Sequence, residues 1–284
     1  MLSWYILGNN LNGRWLREQF FLERKLFKIP FSLAQTPDWV CPTCTKGVLH
    51  IKKDTFLKEE RKISRDHDHD AWEPDWISYV FSCFFVCSND RCKEIVACSG
   101  VGCVEADYVY DFEGEQQQDW NDLFTPKYFE PHLNLLNISK NCPESVVNSL
   151  NDAFRLFFSS PSAASNCVRK ALEELLTELK VKRFSVGKGK RHFIGLHERI
   201  SMLPPKLERF KEPLEGIKWL GNAGSHGKVS ITKDDVMDSL ELMDQVLNDI
   251  YVSTAKELAG LAKRVNRKKG PVKKVAVKKR KYIT

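Results

Sequence analysis

Residues 41–44 read Cys41-Pro42-Thr43-Cys44, and residues 87–92 read Cys87-Ser88-Asn89-Asp90-Arg91-Cys92. Two cysteines separated by two residues sit on one tight turn. Both thiolates can reach an ion about 2.3 Å away while turn N–H groups point at the sulfurs. The second pair has a four-residue gap, looser but workable. Cys87 closes a run in which Tyr79, Phe81, Cys83 and Phe85 alternate with it, so Cys83 lies back along a strand rather than at the turn. Four thiolates from two β turns describe a zinc ribbon, with Cys41, Cys44, Cys87 and Cys92 as the zinc ligands. Cys98 and Cys103 are the rival second pair. A redox role for the first pair needs a βαβ setting, which the neighbouring sequence lacks. A site closed by four cysteines has no open coordination position, so its ion stabilises the fold and does not activate water. His67 and His69, within Asp66-His-Asp-His-Asp70, read as a solvated charged tract.

Outward from these turns, residues 39–112 read as a β-rich domain. Short runs such as Val48–Lys52, Trp76–Val86 and Glu94–Cys98 are separated by turn residues. Lys58–Glu73 is crowded with charge and is expected to be a long exposed loop. Residues 1–38 form an irregular aromatic lead-in with a short helix expected around Gly13–Lys25. Residues 113–142, polar and broken by Pro126 and Pro131, are expected to be a linker.

From Pro143 the periodicity becomes helical. Val147, Leu150 and Phe154 fall on one face, followed by Phe157 and Phe158. Ser160-Pro161 restarts the chain, with Pro at a first helical position, and Ala164, Val168, Ala171, Leu172, Leu175 and Leu179 line the next helix to about Val181. A basic loop, Lys182–Arg191, precedes a short helix near Phe193–Met202. A fourth helix is expected over Lys211–Leu220, ending at Gly221 or just beyond. The last begins at Thr232-Lys-Asp-Asp235, a capping box with Asp in place of Glu, and runs to about Leu261.

The chain has 284 residues, 42% hydrophobic and 29% charged, an ordinary globular composition that excludes wholesale disorder. No apolar run approaches the roughly 20 residues that span a bilayer, and a cytoplasmic protein without a membrane partner is expected. The odd count of 9 cysteines, with no export signal, disfavours a disulfide framework. The net charge of +7 is misleading as an average. Residues 263–284 hold 11 Lys/Arg and no acid, which leaves 33 basic against 37 acidic residues in 1–262, a net −4. The basic excess is therefore confined to a tail, expected to be disordered. Its Lys268, Lys269, Lys273, Lys274, Lys278, Lys279, Arg280 and Lys281 are candidate phosphate contacts for nucleic acid.

Ala164–Leu176 followed by Ile217-Lys-Trp-Leu-Gly-Asn-Ala-Gly-Ser-His226 resembles the domain-of-unknown-function family 4145, over about residues 143–255. The family's pattern is an Arg-x-x-Leu-Glu helix, a Gly-Asn-x-x-x-His signature and an amphipathic helix. Here these are Arg169, Leu172 and Glu173; Gly221, Asn222 and His226; and the helix opening at Thr232. The two cysteine pairs match the family's usual preamble. The resemblance implies a HEPN-like helical bundle, of a superfamily found in toxin–antitoxin, restriction and abortive-infection systems, many of whose members are metal-independent endoribonucleases. Active members carry an Arg immediately before the polar residue of the signature, and this sequence has Gly221 there. The resemblance makes His226, Asn222 and Lys218, which is one helical turn before Gly221, the candidate catalytic residues. The residues themselves also allow Gly221 and Asn222 to end a helix, His226 to hold the following loop, and Arg169 with Glu173 to form an intrahelical pair.

Together these readings give an α+β chain: lead-in 1–38, zinc-ribbon-like β domain 39–112, linker 113–142, HEPN-like bundle 143–262 and basic tail 263–284. The expected function is a non-catalytic zinc-binding interaction module acting with nucleic acid, a second bundle or another protein, in a prokaryotic or phage defence or restriction setting. The alternative is a HEPN-type endoribonuclease using His226.

Overall fold

Alternation along one strand sets the sheet. Between Ser78 and Cys87, the side chains of Phe81, Cys83, Phe85 and Cys87 are buried and those of Val80, Ser82 and Phe84 are exposed, the period of two that a half-buried strand imposes. The computed structural model describes residues 24–110, 116–187, 189–226, 230–251 and 254–270, with the backbone alone at 109–110, 224–226, 254–259 and 261. Its sheet is an antiparallel meander of β1 (Leu49–Glu60), β2 (Ser78–Cys87), β3 (Ile95–Tyr110) and β4 (Gln116–Glu130), in that spatial order. The charged stretch after Lys58 is strand as far as Glu60, then short 3₁₀ turns at Lys62–Ser64 and Pro74–Trp76.

The stretch expected to be a linker contains β4. It pairs with β3 from Tyr110↔Gln116 to Ala97↔Glu130. Pro126 is tolerated because the register shifts between Ser99 and Gly100, opposite it. A side chain at Gly100 would lie 2.2 Å from the Thr125 carbonyl oxygen, so only glycine allows that approach. Phe124 and Phe129 of β4 are buried in the core. The lead-in is likewise structural where it is described. Residues 13–23 of its expected helix lie outside the described residues, and a single turn, α1, covers Lys25–Lys28. Phe31 exchanges backbone hydrogen bonds with Phe124, at 2.9 and 2.8 Å, and so extends the sheet edge by one bridge.

The second half is helical: α2 (Glu144–Phe157), α3 (Pro161–Glu178), α4 (Leu196–Ser201), α5 (Lys211–His226), α6 (Lys233–Tyr251) and α7 (Thr254–Lys268). The chain is thus mixed α+β, and one continuous core joins the two halves. Phe129 of β4 lies 4.9 Å from Phe158, ring centre to ring centre, and Phe27 packs edge-on at 6.5 Å from Phe157. Among the described residues, no helix is long and apolar enough to cross a membrane. The capping box forms: Asp235 accepts from the Thr232 N–H at 2.8 Å while its own N–H donates to Thr232 Oγ1 at 3.2 Å. The Thr232 hydroxyl, donating to Asp235 Oδ2 at 2.6 Å, and the Thr232 N–H hold the Asp235 carboxyl below its ordinary pKa.

Three further expectations change. The basic loop at 182–191 is largely a hairpin, β5 (Phe184–Gly187) and β6 (Lys190–Phe193). The last helix is two, and α7 carries the backbone helically to Lys268, so the tail is helical over its first six residues; residues 271–284 lie outside the described residues. Gly221 does not end a helix, because α5 continues to His226.

Arg199 of α4 is fully buried and closes the C-terminal end of α3. It donates to the carbonyls of Glu173 (3.2 Å) and Val181 (3.4 Å) and to Thr177 Oγ1 (2.9 Å). The terminal carbonyls of α3 already accept from the N–H groups of Leu179, Lys180 and Val181, so the cation acts by complementing the helix dipole and by tying Glu173 and Thr177 of the last turns to the chain that follows. Replacing it by Met is expected to lower the free energy of urea unfolding by at least about 1.5–3 kcal/mol, since hydrogen bonds to a charged group are removed from a dry site.

Candidate metal centre

The two cysteine turns are built alike. In the first, Cys41 N–H donates to the Gly47 carbonyl (2.8 Å), the Cys41 carbonyl accepts from Thr45 (3.0 Å), and Thr45 takes a left-handed φ of 53°. In the second, Cys87 N–H donates to Glu94 (2.9 Å), the Asn89 carbonyl accepts from Cys92 and Lys93 (2.9 and 3.0 Å), and Lys93 has φ 51°. The first turn leads into β1 and the second joins β2 to β3, so the β1–β2 pairing of Leu49 with Cys87 brings them together. Reciprocal bonds between Val48 and Ser88 fasten the halves. Val48 N–H donates to Ser88 Oγ, and Ser88 N–H to the Val48 carbonyl, both at 2.9 Å. Thr43 Oγ1 adds a bond to Glu94 at 2.6 Å.

The sulfurs of Cys41, Cys44, Cys87 and Cys92 all lie within 4.8 Å of one another. Cys41 to Cys92 is 3.9 Å and Cys44 to Cys87 is 3.6 Å. A tetrahedron with bonds of about 2.3 Å has edges of about 3.8 Å, so both distances fit four sulfurs around one ion. The set can hold a metal, and every corner is a protein ligand. Backbone N–H groups of Lys46 and Gly47 pull the Cys44 thiol down to about 6, while desolvation pushes Cys87 up to about 12. Asn89 donates twice, from its backbone to Cys87 Sγ (3.4 Å) and from Nδ2 to Cys44 Sγ (3.7 Å). Sequence reasoning did not single out Gly47 or Asn89. A side chain at Gly47 would meet Cys87 Sγ at 2.5 Å, and the only available signal was a glycine three residues after the C-x-x-C.

The rival cysteines lie elsewhere. Cys83 and Cys98 face each other across β2 and β3 in the sheet core, and Cys103 pairs with Ser78 farther along. His67 Nε2 is 2.9 Å from Glu60 Oε1, and His69 Nδ1 accepts from the Ala71 N–H at 3.1 Å; neither joins the sulfurs.

In the helices, α3 and α5 pack so closely that a Cβ at Gly221 would lie 2.6 Å from Arg169 Cβ. This contact explains a glycine inside a helix, where it costs about 1 kcal/mol relative to Ala. Arg169 Nη2 is 3.4 Å from Glu173, the expected intrahelical pair. Lys218 is buried, with Nζ 3.1 Å from His197 Nδ1. Asn222 is half-buried, and the side chain of His226 lies outside the described residues. Of the basic-run candidates, Lys268 and Lys269 are exposed at the end of α7; Lys273, Lys274, Lys278, Lys279, Arg280 and Lys281 lie outside the described residues.

Residues 151–268 match the domain of unknown function DUF4145. Residues 29–129, which contain the sheet and all four clustered cysteines, match a second domain of unknown function, DUF8608. The DUF4145 match starts inside α2 and ends with α7, so it takes in both the Arg169–Gly221 contact and the exposed end of the last helix. No curated protein and no solved structure matches the chain.

Two glycine substitutions check this geometry. Gly47→Ala is expected to displace Cys87 Sγ and lower the metal bound per chain, read by elemental analysis of the purified protein. Gly221→Ala is expected to overpack the α3–α5 contact and cost about 1–3 kcal/mol in urea unfolding, with metal content unchanged.

Proposed function

We propose that Cys41, Cys44, Cys87 and Cys92 hold one structural zinc ion and that the chain is a non-catalytic module contacting nucleic acid through its basic C-terminal run. The observation that carries this reading is the donor set itself. Four thiolates at tetrahedral separations favour zinc among the divalent ions and leave no position for water or substrate. Zinc bound there adds folding free energy to a sheet whose two halves meet at the turns. The helical domain is read as HEPN-like, in a defence or restriction setting, on its resemblance to that superfamily. The signature position is Gly221, packed on Arg169, so no guanidinium can be placed at 221 without moving α3.

One contact favours a second reading, an endoribonuclease using His226. The stem of Arg169 lies on the turn of α5 that carries Asn222, so α3 offers a guanidinium to the region where the signature lacks one. Such a group meets the charge that develops on a phosphorane, and removing one electrostatic donor typically costs about 10²–10³ in rate. Lys218 is the weaker substitute, being buried against His197.

Protein purified without added metal is expected to contain about one equivalent of zinc, and Cys44→Ser to lose zinc and stability together; a variant that keeps both overturns the ligand set. Removing residues 271–284, which hold six Lys/Arg and leave α7 intact, is expected to weaken nucleic-acid binding and flatten its salt dependence, by up to about 0.7–0.9 in slope for each phosphate no longer neutralised. Equal affinity with and without them overturns the arm. Metal-free RNA cleavage assays are expected to show no activity. Cleavage abolished by His226→Ala and by Arg169→Ala, with the fold kept, establishes the second reading instead.

A further inference from the structure

Among the described residues, the hairpin β5–β6 has no extensive contact with another element. All eight of its strand residues are exposed, and its extensive contacts are between its own two strands. The turn is two residues long, with Gly189 at φ 74°. Residues 182–193 carry five Lys/Arg (Lys182, Arg183, Lys188, Lys190 and Arg191) and no acid, whereas the rest of 143–262 has 16 acidic and 12 basic residues. This segment thus carries +5 in a domain that is otherwise net negative.

The register sorts the hairpin into two faces. Phe184 pairs with Phe193 and Val186 with Arg191, so these four share one face; Ser185 with His192 and Gly187 with Lys190 share the other. On the first face Phe193 is 60% exposed, Val186 79% and Phe184 36%. A two-stranded hairpin is marginal in water, and a cross-strand aromatic pair left in solvent contributes only about 0.2–1 kcal/mol to it. The rings meet edge-on at 5.8 Å, and the Arg191 guanidinium lies 3.6 Å from the centre of Phe184. One ring is therefore covered by a guanidinium, and the other presents an open flat surface beside it.

An exposed aromatic platform, an ordered guanidinium next to it and flanking cations suit unpaired bases joined by phosphates. Stacking takes any base, and the cations follow the backbone. In duplexes the base faces are already stacked on one another. We propose that this hairpin is a single-stranded nucleic-acid contact, with Phe193 as the stacking platform, Arg191 held by Phe184 beside it on the same face, and Arg183 next to the strand and Lys190 on the other face as the cations that attract the phosphates on either side of the stacked base. The assignment extends the nucleic-acid reading to a second site that does not involve the C-terminal run.

The test uses the full chain in fluorescence anisotropy with 20-nucleotide oligo(U), oligo(dT) and a 20-base-pair DNA duplex. Wild type is expected to prefer the single strands. Phe193→Ala is expected to weaken them about tenfold with little change in salt slope, Phe193→Trp to retain binding, and Arg183→Ala with Lys190→Ala to lower the slope by about 0.7 per charge. Preference for oligo(U) assigns RNA, and equal binding of both strands assigns single strands of either sugar; each supports the site. Circular dichroism checks that these exposed changes leave the fold intact. Unchanged single-strand affinity in Phe193→Ala overturns the proposal, as does a duplex bound as tightly as a strand, or a dimer that dissociates on Phe193→Ala while oligo(U) binding persists. The readout is separate from that of the basic run: an inert deletion of 271–284 beside a tenfold Phe193→Ala effect rejects the arm and keeps the hairpin.

Discussion

Trp39 is the contact through which the sheet, the cysteine turns and the amino-terminal segment are held as one body. Its ring is 1% exposed and meets Phe31, Phe85 and Phe129 edge-on, with centres 5.8, 5.4 and 5.0 Å away. Its indole N–H donates to Leu26 at 2.7 Å, and its carbonyl accepts from Leu49 at 2.8 Å. Burying 150–250 Å² of tryptophan is worth about 4–6 kcal/mol at 25 cal/mol per Å². An exposed ion pair such as Arg24–Asp238, at 2.6 Å, contributes about 0–1 kcal/mol. The aromatic contact therefore decides where the lead-in sits, and the ion pairs of Arg24 with α6 follow from it. Because Phe129 also packs on Phe158, the same cluster sets the position of the helices.

The cysteine turns work against an electrostatic constraint. Four sulfurs less than 5 Å apart repel one another when ionised, so the backbone must supply partial positive charge before any ion does. It does so with N–H groups aimed at Cys44, Cys87 and Cys92, and in each turn a left-handed residue that is not glycine follows the second cysteine. Placing Thr45 and Lys93 there costs about 1–2 kcal/mol each. Fixed turn geometry also explains the glycine at 47, since the sulfur of Cys87 occupies the space a side chain there would need.

What could be read in the residues was whatever repeats locally. The four clustered cysteines were legible from spacing, the β2 alternation from its period of two, and the capping box from Thr232 and Asp235. Strand β4 was not, because its proline, its polar start and its bulge partner Gly100 make sense only beside β3, and pairing is a long-range property. Gly221 failed for the same kind of reason. A glycine near a helix end reads as a terminator, and only the stem of Arg169 across the interface shows that it is a point of close approach. The hairpin at 184–193 was hidden by its charge. Its alternation was present, but four-residue strands joined across a Gly-x-Gly turn resemble a solvated loop until they are seen paired. In the helical half the family resemblance supplied the signature, and packing alone revealed that Lys218 is buried.

The positions of these contacts along the chain order its assembly during synthesis. The sulfur cluster is complete once residue 92 has emerged, because its other members come from 41, 44 and 87. The ring that Trp39 needs on β4 belongs to Phe129, 37 residues later, and Phe158 follows after another 29. At about 5–20 residues per second those intervals last roughly two to seven and one to six seconds. For that time Trp39 and the inner face of β2 have no β4 to cover them, while the cysteine turns already have every residue they require. The nascent chain can therefore close its turns first, with the β1–β2 register fixed by Leu49 and Cys87, and the hydrophobic core is added to an edge that is already aligned.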